Sequence, residues 1–125
     1  MNTESNRLTE TGIGAAIEGQ RDLEPGSLES AYQRALEHEL TLQGVGFEAQ
    51  KTCPVACKGL IIEDASRPDL LVGEKQVAEL KAVDALADGH EAQVLAYLKF
   101  TGCHIGLLIN FCAGLLRDGL RRLAL

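Results

Sequence analysis

Residues 67–83 read RPDLLVGEKQVAELKAV, and they set Asp69, Glu79 and Lys81 among apolar residues in a stretch of strand composition. Two carboxylates and an ammonium brought together can hold a hard divalent cation and stabilise charge developing at a phosphoryl centre. If LLV and VAEL pair as antiparallel strands around Gly73-Glu74-Lys75, Asp69 falls directly opposite Glu79. Side chains so opposed have Cβ atoms about 4.5–5.5 Å apart, and like charges there are destabilising unless something positive lies between them. Alternation along the strand puts Lys81 on the face of both acids, while Leu70, Val72, Leu80 and Ala82 point the other way. Hard oxygen ligands at this separation suit Mg²⁺ or Mn²⁺, which keep waters that a phosphate can replace. The competing reading is a surface hairpin whose acids and lysine are solvated or paired with one another.

The rest of the chain must position these groups. TGIGAAIEGQRDL carries Ile13, Ala16 and Ile17 at helical spacing, which predicts a short helix after frayed residues 1–9. LEPGS ends it, and Ser27 is placed to cap a second helix over LESAYQRALEHELTLQ, with Leu28, Tyr32, Ala35, Leu36 and Leu40 as its apolar stripe and Glu29 in its first turn. Gly44 and Gly46 stop that helix. Short β-type runs follow, FEAQKTCPVACKG and LIIEDA, with a turn at Lys58-Gly59. After the opening hairpin, HEAQVLAYLKFTG returns to helical period on Ala92, Val94, Leu95 and Leu98, ending at Gly102. IGLLINF is a continuous apolar run of strand length, as in a strand buried on both faces. LLRDGLRRLAL fits either a last edge strand or a frayed helix. The order ααβββ(β)αβ describes an α/β fold, a mixed sheet with helices on its faces.

A chain of 125 residues is long enough for one compact domain with its own core and too short for two. With no Trp and few aromatics, Leu, Ile, Val and Ala must fill that core. Neither a membrane-length apolar run nor a signal-peptide pattern is present, so the expected address is the cytoplasm. There Cys53, Cys57, Cys103 and Cys112 are expected as reduced, buried or half-buried thiols. The Cys53/Cys57 spacing is not that of a zinc ribbon, and a thiol-based metal or redox site is the alternative. A net charge of −6 argues against a sequence-independent grip on phosphate backbones. Its acid excess lies wholly in the first half, however, and the second half offers Lys99, Arg117, Arg121 and Arg122 as either nucleic-acid contacts or solvated surface.

Pro68-Asp69 followed by Glu79-Leu80-Lys81 resembles the PD-(D/E)xK nuclease superfamily. Gly26-Ser-Leu-Glu29-Ser-Ala-Tyr32 is similar to the signature of a small bacterial branch of it, the GxxExxY proteins. The likeness runs from about Gly14 to Arg121 and takes in PDLLV, VAELKAV, HEAQVLAYLK and IGLLINF. It implies a restriction-endonuclease-like core, with Asp69, Glu79 and the Leu80 carbonyl as metal ligands, Lys81 as catalytic lysine and Glu29 as a further carboxylate on the metal or its waters. Glu29 can equally be a first-turn acid complementing the helix dipole. Tyr32 is either a supporting site residue or core. Gln93 and Tyr97 match the Q-x3-Y that follows ExK in related nucleases, and His90 shares their face. These three would bond a phosphate or the lysine; otherwise Gln93 satisfies a buried backbone group, Tyr97 packs in the core and His90 caps the helix. Two positions depart from the branch, Glu24 where a second glycine is usual and GQR where His-Arg is common. The resemblance implies a Mg²⁺- or Mn²⁺-dependent nuclease acting on DNA or RNA, with homodimers frequent among relatives. Its rival is a nuclease-fold module that binds protein or nucleic acid with little or no turnover.

Overall fold

The computed structural model describes residue 10 and residues 12–17, 29–112 and 116–125. Its helices are α1 (residues 12–17), α2 (Glu29–Leu42) and α3 (Asp88–Thr101). The strands are β1 (Phe47–Ala49), β2 (Cys53–Cys57), β3 (Leu60–Ser66), β4 (Leu70–Val72), β5 (Gln76–Lys81), β6 (Ile105–Asn110) and β7 (Leu120–Ala124). Five of them form one sheet in the order β1-β4-β5-β6-β7, and β2 and β3 form a separate hairpin. Every pair in the sheet is antiparallel except β5–β6, a parallel pair that needs a crossover; α3 supplies it. This is the mixed sheet flanked by helices that the pattern of elements predicts.

Alternation along the strands divides the interior into two layers. Leu70, Val72, Ala78, Leu80, Leu107 and Ile109 join Ala15 and Ala16 of α1 and Tyr32, Leu36 and Leu40 of α2 in one core. Val77 and half-buried Leu71 point to the opposite face and pack with Tyr97, Leu98 and Cys103. β6 lies between the layers, and all six of its residues are buried, as its unbroken apolar run requires. Close contact between α3 and β6 depends on Gly106, where a Cβ would stand 2.6 Å from Val94 Cγ1.

Several expectations are corrected. α3 buries Val94, Tyr97 and Leu98, whereas Ala92 is exposed and Leu95 is 37% exposed, because only the i, i+3, i+4 set beginning at Val94 faces the sheet. In α1 the buried residues are Gly12, Ala15 and Ala16, whereas Ile17 is exposed. The run from Phe47 is two strands, broken at Gln50, and its first part pairs with β4. The C-terminal tail resolves as a 3₁₀ turn (Leu116–Gly119) followed by edge strand β7. Cys57 and Cys112 are exposed, while Cys53 and Cys103 are buried, and none of the four is in a disulfide. Ser27, Gly26, Glu24 and residues 1–9 lie outside the described residues. No described helix is long and apolar enough to cross a membrane.

A methyl group added at Gly106 has nowhere to go without moving Val94 and the helix behind it. Gly106→Ala should therefore cost about 1–3 kcal/mol of stability, measured by urea unfolding. An unchanged midpoint would mean that α3 does not sit this close to the sheet.

Candidate active site

The hairpin register is the one its charges demanded: Leu70 pairs with Ala78, Leu71 with Val77 and Val72 with Gln76. Gly73 and Glu74 take the turn in left-handed conformations, φ 58° and 59°, and Lys75 N–H donates to the Val72 carbonyl at 3.1 Å. One step beyond the paired residues, Asp69 faces Glu79. Each of these acids binds backbone of the other's strand: Asp69 N–H donates to Glu79 Oε1 at 3.0 Å, and Leu80 N–H donates to Asp69 Oδ2 at 2.8 Å. Lys81 Nζ lies 3.6 Å from Glu79 Oε2. A cation thus stands beside one of the two opposed acids.

Burial shapes the electrostatics. Glu79 is only 3% exposed, and its carboxyl is pushed up to about 8, first by burial, then by its hydrogen bond to the Asp69 side chain and the charge there; Lys81 pulls the other way. Glu79 therefore carries a proton at neutral pH and is hydrogen-bonded to the Asp69 side chain. Tyr97 reaches this pair from α3, hydrogen-bonded to Glu79 and to Gln93, and is pushed up to about 12 by burial and by the Glu79 and Asp69 charges. It stays protonated as a donor. From the other side comes Glu29, half-buried in the first turn of α2, its carboxyl raised by burial and by the Asp69 charge and lowered by Lys81. Asp69, Glu79, Lys81, Glu29, Tyr97 and Gln93 are thus brought to one place.

Two further candidates are engaged structurally. His90 Nδ1 accepts the Ala87 N–H at 2.9 Å, closing the first turn of α3, the capping alternative of its two readings. Tyr32 is 2% exposed and stacks on Phe111 with ring centroids 4.4 Å apart and an interplanar angle of 11°, so it braces α2 against the end of β6. Among the basic candidates, Arg121 and Arg122 lie on β7, beyond β6 from the acids, and Lys99 is exposed in the last turn of α3. The side chain of Arg117 lies outside the described residues.

Three residues were not singled out by the sequence. Gln50 follows β1 and sits across from Asp69; its N–H donates to the Asp69 carbonyl at 3.0 Å, and its Nε2 donates to Asp69 Oδ1 at 3.2 Å and to Gln33 Oε1 at 3.2 Å. Gln33, one helical turn after Glu29, donates from Nε2 to the Asp69 carbonyl at 3.4 Å. Asn110, buried at the end of β6, donates to the Val83 carbonyl at 2.9 Å and accepts the Val83 and Cys112 N–H groups, fixing the chain that leaves Lys81. Only Asn110 carried a signal, a polar residue closing an apolar strand.

A family model described as the PD-(D/E)XK nuclease superfamily matches residues 6–123. The chain belongs to the PD-(D/E)XK nuclease superfamily. No curated protein and no solved structure matches it. Pro68-Asp69 and Glu79-Leu80-Lys81 spell the superfamily's name at the open end of the hairpin described above. Superfamily members generally use divalent metals, and the carboxylates of Glu29, Asp69 and Glu79 are the hard oxygen donors such ions take. A buried and a half-buried acid held face to face fit that chemistry, because a divalent cation would relieve their repulsion. The described residues hold no cluster of three His, Cys, Asp or Glu side chains already closed to ligand distance.

In EDTA, the folded Glu79 carboxyl keeps a proton that the unfolded chain releases near the ordinary value of 4.5. The folded state binds more protons between about 4.5 and about 8, so stability falls as pH rises through that window, by at most about 1.4 kcal/mol per pH unit. Glu79→Gln cannot ionise there. Its stability relative to wild type in urea melts should rise with pH across the window, and a flat difference would mean that folded Glu79 holds no extra proton there.

Proposed function

We propose that the protein is a GxxExxY-type nuclease that hydrolyses phosphodiester bonds of nucleic acid with the help of Mg²⁺ or Mn²⁺. The observation that carries this is the meeting of Asp69 and Glu79 with Lys81 Nζ 3.6 Å from the second carboxylate. No fold requirement explains two acids forced together at the mouth of a sheet, whereas phosphoryl chemistry uses such a set. Asp69 and Glu79 would hold the ion with the Leu80 carbonyl, and Glu29 would bind it or its waters. When bound, the ion would polarise a phosphoryl oxygen and make a coordinated water more acidic. Lys81 would donate to that water or to a non-bridging oxygen as charge builds on phosphorus. Tyr97 and Gln93 would hold Glu79 in place, with Gln93, exposed on α3, free to meet the substrate backbone. We place the reaction in one domain that works as a homodimer, so that two sites can face the two strands of a duplex.

A second reading, a nuclease-fold interaction module without turnover, is favoured by one observation. The acids already satisfy each other's backbone, and Lys81 is paired with Glu79. Labelled single- and double-stranded DNA and RNA, incubated with Mn²⁺, Mg²⁺ or EDTA, separate the two. Cleavage should require the metal and fall roughly 10²–10³-fold in Lys81→Ala, the size expected for losing one charge-stabilising donor. No cleavage of any substrate, together with no rise in melting temperature on adding Mn²⁺, overturns the nuclease reading and leaves the module.

A further inference from the structure

Asp69 stands in a transverse row across the sheet. Continuing the β1–β4 pairing past Ala49 and Leu70 puts Gln50 opposite Asp69 on one side, and continuing β4–β5 past Ala78 puts Glu79 opposite it on the other. Gln50 departs from strand geometry at that point: its φ is 55°, the left-handed region that residues other than glycine rarely adopt. Strain of this kind persists only where surrounding contacts over-determine it, and it concentrates at functional sites. Here the contacts are known. The Gln50 N–H donates to the Asp69 carbonyl at 3.0 Å, which fixes the backbone, and its Nε2 turns back to Asp69 Oδ1 at 3.2 Å. Gln33 closes the circuit by accepting from Gln50 Nε2 at 3.2 Å and donating to the same Asp69 carbonyl at 3.4 Å.

Asp69 is therefore held from both sides, Oδ2 by the Leu80 N–H and Oδ1 by Gln50. A carboxylate with both oxygens tethered keeps one plane and one rotamer. We infer that Gln50, braced by Gln33, is a positioning residue that sets the orientation of the Asp69 carboxylate toward its ligand. This rests on the nuclease reading only for what that ligand is; the tether itself is independent of it. Outer partners of metal-binding carboxylates act in this way, and losing one weakens metal binding by about tenfold or more. The glutamine amide suits the task because its NH₂ can donate to Asp69 and to Gln33 together.

The strained backbone provides the test. Gln50→Gly removes the amide but relieves the left-handed conformation, so a purely structural role predicts a protein as stable as wild type with an unaltered site. Gln50→Met keeps the length of the side chain and removes the donor without adding a charge. Both variants are compared with wild type in two readouts, the Leu80 amide resonance of ¹⁵N-labelled protein without metal and the affinity for Mn²⁺ alone by calorimetry. The inference expects the Leu80 amide to shift and lose exchange protection in both variants, while core amides of β6 stay put, and Mn²⁺ affinity to fall by about tenfold. An unmoved Leu80 amide overturns it, as does unchanged Mn²⁺ affinity in variants whose Leu80 amide has moved. If wild type binds no Mn²⁺ at all, the metal in the proposed function falls, and the Leu80 amide alone upholds or overturns the tether.

Discussion

The structure turns on an exchange: Asp69 and Glu79 each accept a backbone N–H from the other's strand. Directly opposed carboxylates would ordinarily push two strands apart. Here each is converted into a ladder partner, Asp69 taking the Leu80 N–H at 2.8 Å and Glu79 taking the Asp69 N–H at 3.0 Å. The repulsion that remains is met by Lys81 and by a proton held on Glu79. The central hairpin can therefore end in two acids without coming undone.

The two packing layers serve this exchange from opposite sides. α2 delivers Glu29 and Gln33 to it because Tyr32, Leu36 and Leu40, on the neighbouring face of the same helix, are buried against the sheet. α3 delivers Tyr97 and Gln93 because Gly106 lets Val94 and Leu98 come down onto β6. Tyr97 belongs at once to the second core cluster and to the acid pair, its ring packed with Val77 and Leu98 and its hydroxyl bonded to Glu79. Core and site are not separable at that residue.

The hairpin register was legible from the sequence because the turn at Gly73-Glu74-Lys75 fixes the pairing and a one-residue slip would have turned one strand's apolar residues out of the core. IGLLIN was legible as a doubly covered strand for the same reason. The α3 stripe was misjudged because Leu95 and Ala92 are as apolar as the residues that are buried, so composition did not fix the helix rotation; Gly106 did, by admitting Val94. The tail read two ways because LLRDGLRRLAL satisfies both periods until β6 offers it an edge. Gln50 and Gln33 left no trace, since a neutral amide in a polar stretch has no periodicity, and its part is set by a β1–β4 pairing between segments some twenty residues apart in the chain.

The backbone bond from Gln50 to Asp69 also has a topological meaning. It clasps the neck of the excursion that contains β2 and β3, so the chain leaves the sheet and returns to it at one spot. The exposed turn end of that excursion can lengthen or shorten with only the weak cost of loop closure, about 0.6 kcal/mol for each doubling, while its base keeps Cys53 and Ser66 buried. The hairpin, with Leu60 64% and Ile61 61% exposed near its turn, is in that sense a graft site whose stem is built from the row of Gln50, Asp69 and Glu79.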